Sequence, residues 1–77
     1  NPFNPVTNVE YTLSQAGNVE IVVYDIMGRQ VDAIYNDFKS NGTHSIVWDA
    51  STKSSGIYYI QIKSNNSIKT EKVVLMK

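Results

Sequence analysis

Apolar side chains recur at every second position through most of this chain, in short runs cut by polar turns. From Thr7 to Leu13, Val9, Tyr11 and Leu13 share one side while Asn8, Glu10 and Thr12 share the other. A period of two marks a strand with one face buried, because successive side chains of extended backbone point to opposite faces. Ser14 to Asn18 turns the chain, and Val19, Ile21 and Val23 form the inner face of a second strand with Glu20 outside. Tyr24 to Arg29 is the next corner. Gly28 is its expected positive-φ residue, and Asp25 is placed to accept hydrogen bonds from the N–H groups of the turn. A third strand over 30–35 is less regular, with Val31, Ala33 and Tyr35 on one side and Asp32 and Ile34 on the other. Asn36 to Gly42 reads as a polar loop from which Phe38 dips back into the core.

Thr43 to Trp48 forms the next strand, with Ile46 and Trp48 on one face and Trp48 as the centrepiece of the core. Asp49 to Ser55 is a polar loop. Tyr58, Ile60 and Ile62 line a long strand, Asn65-Asn66 turns the chain, and a last strand runs over about 67–76. Its run Val73-Val74-Leu75-Met76 suits a strand covered on both sides. Ahead of all this, Pro2 and Pro5 fix φ and remove two N–H donors, so Asn1 to Pro5 is neither helix nor inner strand, and Phe3 is expected to plug one end. The tally is about seven strands at roughly 8–12-residue spacing and no amphipathic helical window. It predicts an all-β, immunoglobulin-like antiparallel sandwich. The Cys…Trp…Cys pattern of true immunoglobulin domains is missing, so only the architecture carries over. The expected organisation is a single domain over 1–77, with an N-terminal arm at 1–6 and the sandwich at 7–77.

Seventy-seven residues, 42% of them hydrophobic, with one Trp, five Tyr and two Phe, suffice for one ordered domain with a dense core. There is no cysteine, so the fold rests on packing rather than on disulfides. No apolar run approaches the roughly 18 residues of a membrane span. Asn1 reads as an internal boundary of a longer chain. Net charge is zero, but the halves differ. Residues 1–38 carry Glu10, Glu20, Asp25, Asp32 and Asp37 against Arg29, while 39–77 carry six lysines against Asp49 and Glu71. Either the halves interleave and pair across strands, or Lys63, Lys69, Lys72 and Lys77 make a basic edge that resists aggregation or meets an acidic partner. The basic residues are too sparse for nucleic-acid binding.

Candidate chemistry is thin. His44 is the one histidine, and no nucleophile is marked beside it, so a structural or solvated role is expected. One histidine and no cysteine disfavour zinc. Asp25, Asp32, Asp37 and Asp49 are scattered rather than gathered in a calcium loop; of these, Asp25 and Asp49 would be the first candidates. No carboxylate pair and no phosphate loop stand out, so no catalytic residue, metal or cofactor is expected. Tyr24, Tyr35 and Tyr59 fall on alternate faces or near turns, where they either cover the outer sheet or offer a platform to sugars. Two sequons, Asn41-Gly42-Thr43 and Asn65-Asn66-Ser67, read as turn chemistry.

The motifs, taken in order, are more specific than any of them alone. Asn1-Pro2-Phe3-Asn4-Pro5, Tyr24-Asp25…Gly28-Arg29, Gly42…His44…Trp48-Asp49, Ser55-Gly56…Tyr58-Tyr59 and the closing Lys72-Val73-Val74-Leu75-Met76-Lys77 span the chain. This series resembles the type A C-terminal sorting domain of the type IX secretion system of Bacteroidetes. The resemblance implies a non-catalytic label behind a cargo domain in the same chain. It implies export from the periplasm across the outer membrane to the cell surface or medium. It also implies recognition of the folded domain by the translocon and removal by a sortase-like protease. Lys72, Val73, Val74, Leu75, Met76 and Lys77 would carry the recognition signal. Gly28, Arg29, Gly42, Trp48, Asp49, Gly56 and Tyr58 would be structural. The domain would be monomeric, without nucleic acid or membrane insertion. Ala50-Ser51-Thr52-Lys53 departs from the Gly-rich loop common after Trp-Asp. The same motifs recur in immunoglobulin-like domains of flagellar hook-capping proteins, and an accessory carbohydrate-binding module is a further alternative.

Overall fold

The computed structural model describes residues 2–3, 6–64 and 67–76, the first two by backbone alone. It holds seven strands: β1 (Pro2–Phe3), β2 (Val6–Leu13), β3 (Gly17–Asp25), β4 (Gln30–Lys39), β5 (Gly42–Asp49), β6 (Gly56–Ser64) and β7 (Ser67–Leu75). Five make one sheet in the order β1-β7-β6-β3-β4, and β2 and β5 pair as a second. All pairings are antiparallel except β1 with β7. The turn at Asn65-Asn66, Lys77 and the side chain of Phe3 lie outside the described residues.

The clean alternation of β2 and β5 follows from their place. Each has one face on the core and one in solvent, so Val9, Tyr11, Leu13 and Trp48 are buried while Asn8, Glu10, Thr12 and Val47 are exposed. Opposite them, Val19, Ile21, Val23, Ile60, Ile62 and Leu75 supply the inner face of the larger sheet. Central β3 is also covered on its outer side, where Val22 is buried between its register partners Ala33 and Gln61.

β4 departs from the expected pattern. It runs to Lys39, so the stretch after Tyr35 is strand rather than loop, and Phe38 is exposed opposite Asn18 rather than turned into the core. Irregularities in the β3–β4 register at Ile21/Val22 and Val23/Tyr24 explain why alternation fails here. An extra residue in one strand shifts the parity of everything beyond it. Ile34 and Tyr35 therefore both pack on the core, as does Val31, while Ala33 is exposed. Asp32, opposite Val23, reaches inward, and its Oδ2 accepts the Nε1–H of Trp48 at 2.9 Å. This bond ties the two sheets together and satisfies the one polar group of a side chain that is otherwise 1% exposed.

Candidate functional site

Three of the turn motifs prove to be local structural devices. At the β3–β4 corner, Asp25 Oδ1 accepts the backbone N–H groups of Met27 (2.9 Å) and Arg29 (3.0 Å), and Oδ2 accepts Arg29 Nε at 2.9 Å. The N–H of Gly28 donates to the Asp25 carbonyl, and Asp25 N–H donates to the carbonyl of Arg29. Gly28 sits at φ +82° with open space where a Cβ would be, so backbone conformation alone selects glycine. The N–H of Arg29, then its guanidinium and the N–H of Met27, hold the Asp25 carboxyl below its ordinary pKa.

Trp48 packs edge-on against Tyr58 with ring centroids 5.5 Å apart, and the Tyr58 hydroxyl donates to the Ser54 carbonyl at 2.6 Å. Asp49 accepts the N–H of Ser51, which likewise lowers its pKa. The variant loop after Asp49 is anchored in its own way. Ala50 is fully buried, the Lys53 N–H donates to the Ala50 carbonyl, and Lys53 Nζ donates to the Val31 carbonyl at 2.9 Å. Gly42, at φ +121°, opens β5, and Gly56 opens β6. Neither Asp32 nor Lys53 stood out in the sequence. Their partners lie 16 and 22 residues away, and no local pattern encodes that.

The other candidates are similarly occupied. His44 Nε2–H donates to the Ser40 carbonyl at 2.7 Å, and its ring lies against Tyr11. Among the described residues, no three His, Cys, Asp or Glu side chains group as metal ligands do. Tyr24 and Tyr59 oppose each other across β3 and β6, both partly covered, whereas Tyr35 packs on the core. One ion pair joins the acidic and basic halves, and another lies within the basic half. Lys63 pairs with Glu20 across β6 and β3 at 3.6 Å, and Lys69 with Glu71 along β7 at 3.4 Å.

That leaves β7, the strand the sequence marked for recognition. Register with β6 puts Ser67, Lys69, Glu71, Val73 and Leu75 on the inward face and Ile68, Thr70, Lys72 and Val74 on the outward one, so Lys69 and Lys72 lie on opposite faces. Residues 67–70 are exposed whichever way they point. A cleft of about 350 Å³ opens there, between Tyr11 and Leu13 of β2 and Ile62, Ile68 and Lys69. Burial pushes the Tyr11 phenol up, with Tyr35 adding to it. Towards the C-terminus the strand sinks in. Val73 packs on the core and Leu75 is wholly buried, whereas Lys72 and Met76 stay exposed. One edge of β7 pairs with β6 along its full length; among the described residues, the other meets β1 at Val74 and Leu75.

The motifs of this all-β domain build its corners, and its last strand sets exposed Lys72 and Met76 beside the buried Leu75. The sequence pattern of the secretion system C-terminal sorting domain matches residues 1–76, and the chain belongs to that family. It is therefore a C-terminal signal for type IX secretion, and it directs the protein that carries it to the cell surface or out of the cell. Signalling rather than catalysis is the general role of that family. Neither the curated proteins nor the solved structures gave a match.

Proposed function

We propose that the translocon reads this domain through β7 and the residues after it, with Lys72, Val73, Val74, Leu75, Met76 and Lys77 as the signal. The observation that carries the reading is the uneven cover of β7, which among the described residues has a second strand partner only near its end and sets exposed Lys72 and Met76 beside a buried anchor, Leu75. A strand edge of this kind is suited to extension by a receptor strand. The flanking lysines orient the receptor strand and discourage self-pairing. Residues 1–77 act as one non-catalytic, monomeric unit behind a cargo domain, with 1–6 as its arm. The route runs through the periplasm, and a sortase-like protease removes the domain after passage. The order β7-β6-β3-β4 facing β2-β5 supports an immunoglobulin-like topology.

Deleting 72–77 is a poor test, because it also removes the core residue Leu75. Instead, a fluorescent reporter with a periplasmic signal peptide is fused ahead of residues 1–77 in a host carrying the type IX system. The exposed pair is changed as Lys72→Glu with Met76→Asp. The expected result is a tenfold or greater fall in export with the urea midpoint of the domain unchanged. Undiminished export of the variant, in a host where deletion of the whole domain abolishes export, would move recognition elsewhere on the sandwich.

A further inference from the structure

We propose that Asn41 is a site of spontaneous covalent modification. In the folded domain its side-chain amide cyclises onto the backbone nitrogen of Gly42, loses ammonia and opens to aspartate or isoaspartate. The inference goes beyond the export reading and does not depend on it.

Cyclisation needs a backbone nitrogen that bears hydrogen and can swing against the preceding side chain. It is fastest where the next residue is small and no ladder holds the backbone extended. Asn41 meets both conditions. It is exposed in the bend that carries the chain from β4 to β5, outside both strands. Gly42 has no side chain to block the approach, and at φ +121° it has open space where a Cβ would be. It forms only the terminal rung of the β2–β5 ladder, opposite Leu13, and element ends open most readily. The other described asparagines are held differently. Asn8, Asn18 and Asn36 lie inside β2, β3 and β4, opposite Val47, Phe38 and Glu20. Val9 and Val19 follow the first two with stiff, branched side chains, and the Asn18 amide donates to Asn36 Oδ1 at 3.1 Å. In the sequence, Asn4 precedes Pro5, whose nitrogen has no hydrogen to give up.

The step needs no co-reactant but water. Gly42 N bonds to Asn41 Cγ, the Cγ–Nδ2 bond breaks, and ammonia carries off the proton of Gly42 N. Water then opens the ring, at Cγ to aspartate or at the backbone carbonyl to isoaspartate. Either product adds one negative charge to a chain whose net charge is zero. Isoaspartate also adds a methylene to the main chain, in the short connector between the five-stranded and the two-stranded sheet. The Ser40 carbonyl in that connector accepts His44 Nε2–H, so lengthening it loosens the start of β5.

The reporter fusion of residues 1–77 is aged in neutral buffer, folded and in parallel in concentrated urea, and its peptides are weighed by mass spectrometry. Amide-to-acid conversion in the folded protein should appear first at Asn41, as a mixture of aspartate and isoaspartate, about tenfold or more ahead of Asn8, Asn18 and Asn36. Gly42→Ala should slow it about tenfold. Asn41→Gln, which leaves Gly42 in its native conformation, should remove it with the urea midpoint of the domain unchanged. The separated isoaspartate form should exchange its amides over Gly42–His44 several-fold faster than the unaged protein. First conversion at Asn65 or Asn66, equal rates at every asparagine, or conversion at Asn41 in urea but not in the folded protein would each overturn the proposal. Unchanged exchange in the isoaspartate form would overturn the loosening of β5. None of these readouts depends on export, so their failure and that of the signal at 72–77 are told apart.

Discussion

β3 and β7 belong to the same sheet and are both nine residues long, yet their surroundings differ at nearly every position. β3 pairs on both edges, and Val19, Ile21, Val22 and Val23 are almost wholly removed from solvent. β7 pairs fully on one edge, and only Leu75 is fully buried. Stability rests on strands of the first kind, whereas strands of the second kind keep backbone open to solvent. Backbone that is locked on two edges and two faces has nothing left to offer a partner. Local opening should therefore cost least at the start of β7 and most along β3.

The largest effect is expected where the sheets are joined. Trp48→Ala removes the edge-on contact with Tyr58, the hydrogen bond to Asp32 and the largest buried side chain, at a cost of about 3–5 kcal/mol. A core in a chain of this size supplies little more than that, so the variant should be largely unfolded at 25 °C by circular dichroism. Leu75→Ala comes next, at about 2–5 kcal/mol. It should lower the urea midpoint, because the end of β7 is core even though its start is not; an unchanged midpoint would erase the distinction drawn within β7. Gly28→Ala should cost about 1–2 kcal/mol through its positive φ alone. Acid should act at the corners. The carboxyls of Asp25 and Asp49 titrate below the ordinary 3.8 in the folded state. Their contribution is thus present above that value and lost as pH falls through the folded pKa values. Urea midpoints measured from pH 7 to 2 should drop at the acid end, and Asp25→Asn should flatten part of that drop. The smallest effect is expected at exposed β7. Ile68→Thr should change stability by no more than about 0.5 kcal/mol.

What the sequence could reveal follows the same division. β2, β5 and β6 each turn one face to the core, and their inward residues stand out from alternation alone. Asp25, Gly28 and Arg29 could be assigned to a corner because all their partners lie within four residues. β4 was misread at Phe38, Ala33 and Ile34 because its register slips are set by its neighbour rather than by its own composition. The inward turn of Asp32 was hidden for the same reason. At β7, the run Val73 to Met76 looks uniform in sequence. Only the fold separates the buried Leu75 from the exposed Met76.

The parallel pairing of β1 with β7 also has a mechanical meaning. Force from the N-terminal side enters at the start of β1, and force from the C-terminal side enters at the end of β7. Tension between those points slides two parallel strands past each other and loads all their hydrogen bonds at once, instead of unzipping them singly. Those two register pairs are thus a shear contact, which parts at a higher force than the same bonds would if they were unzipped.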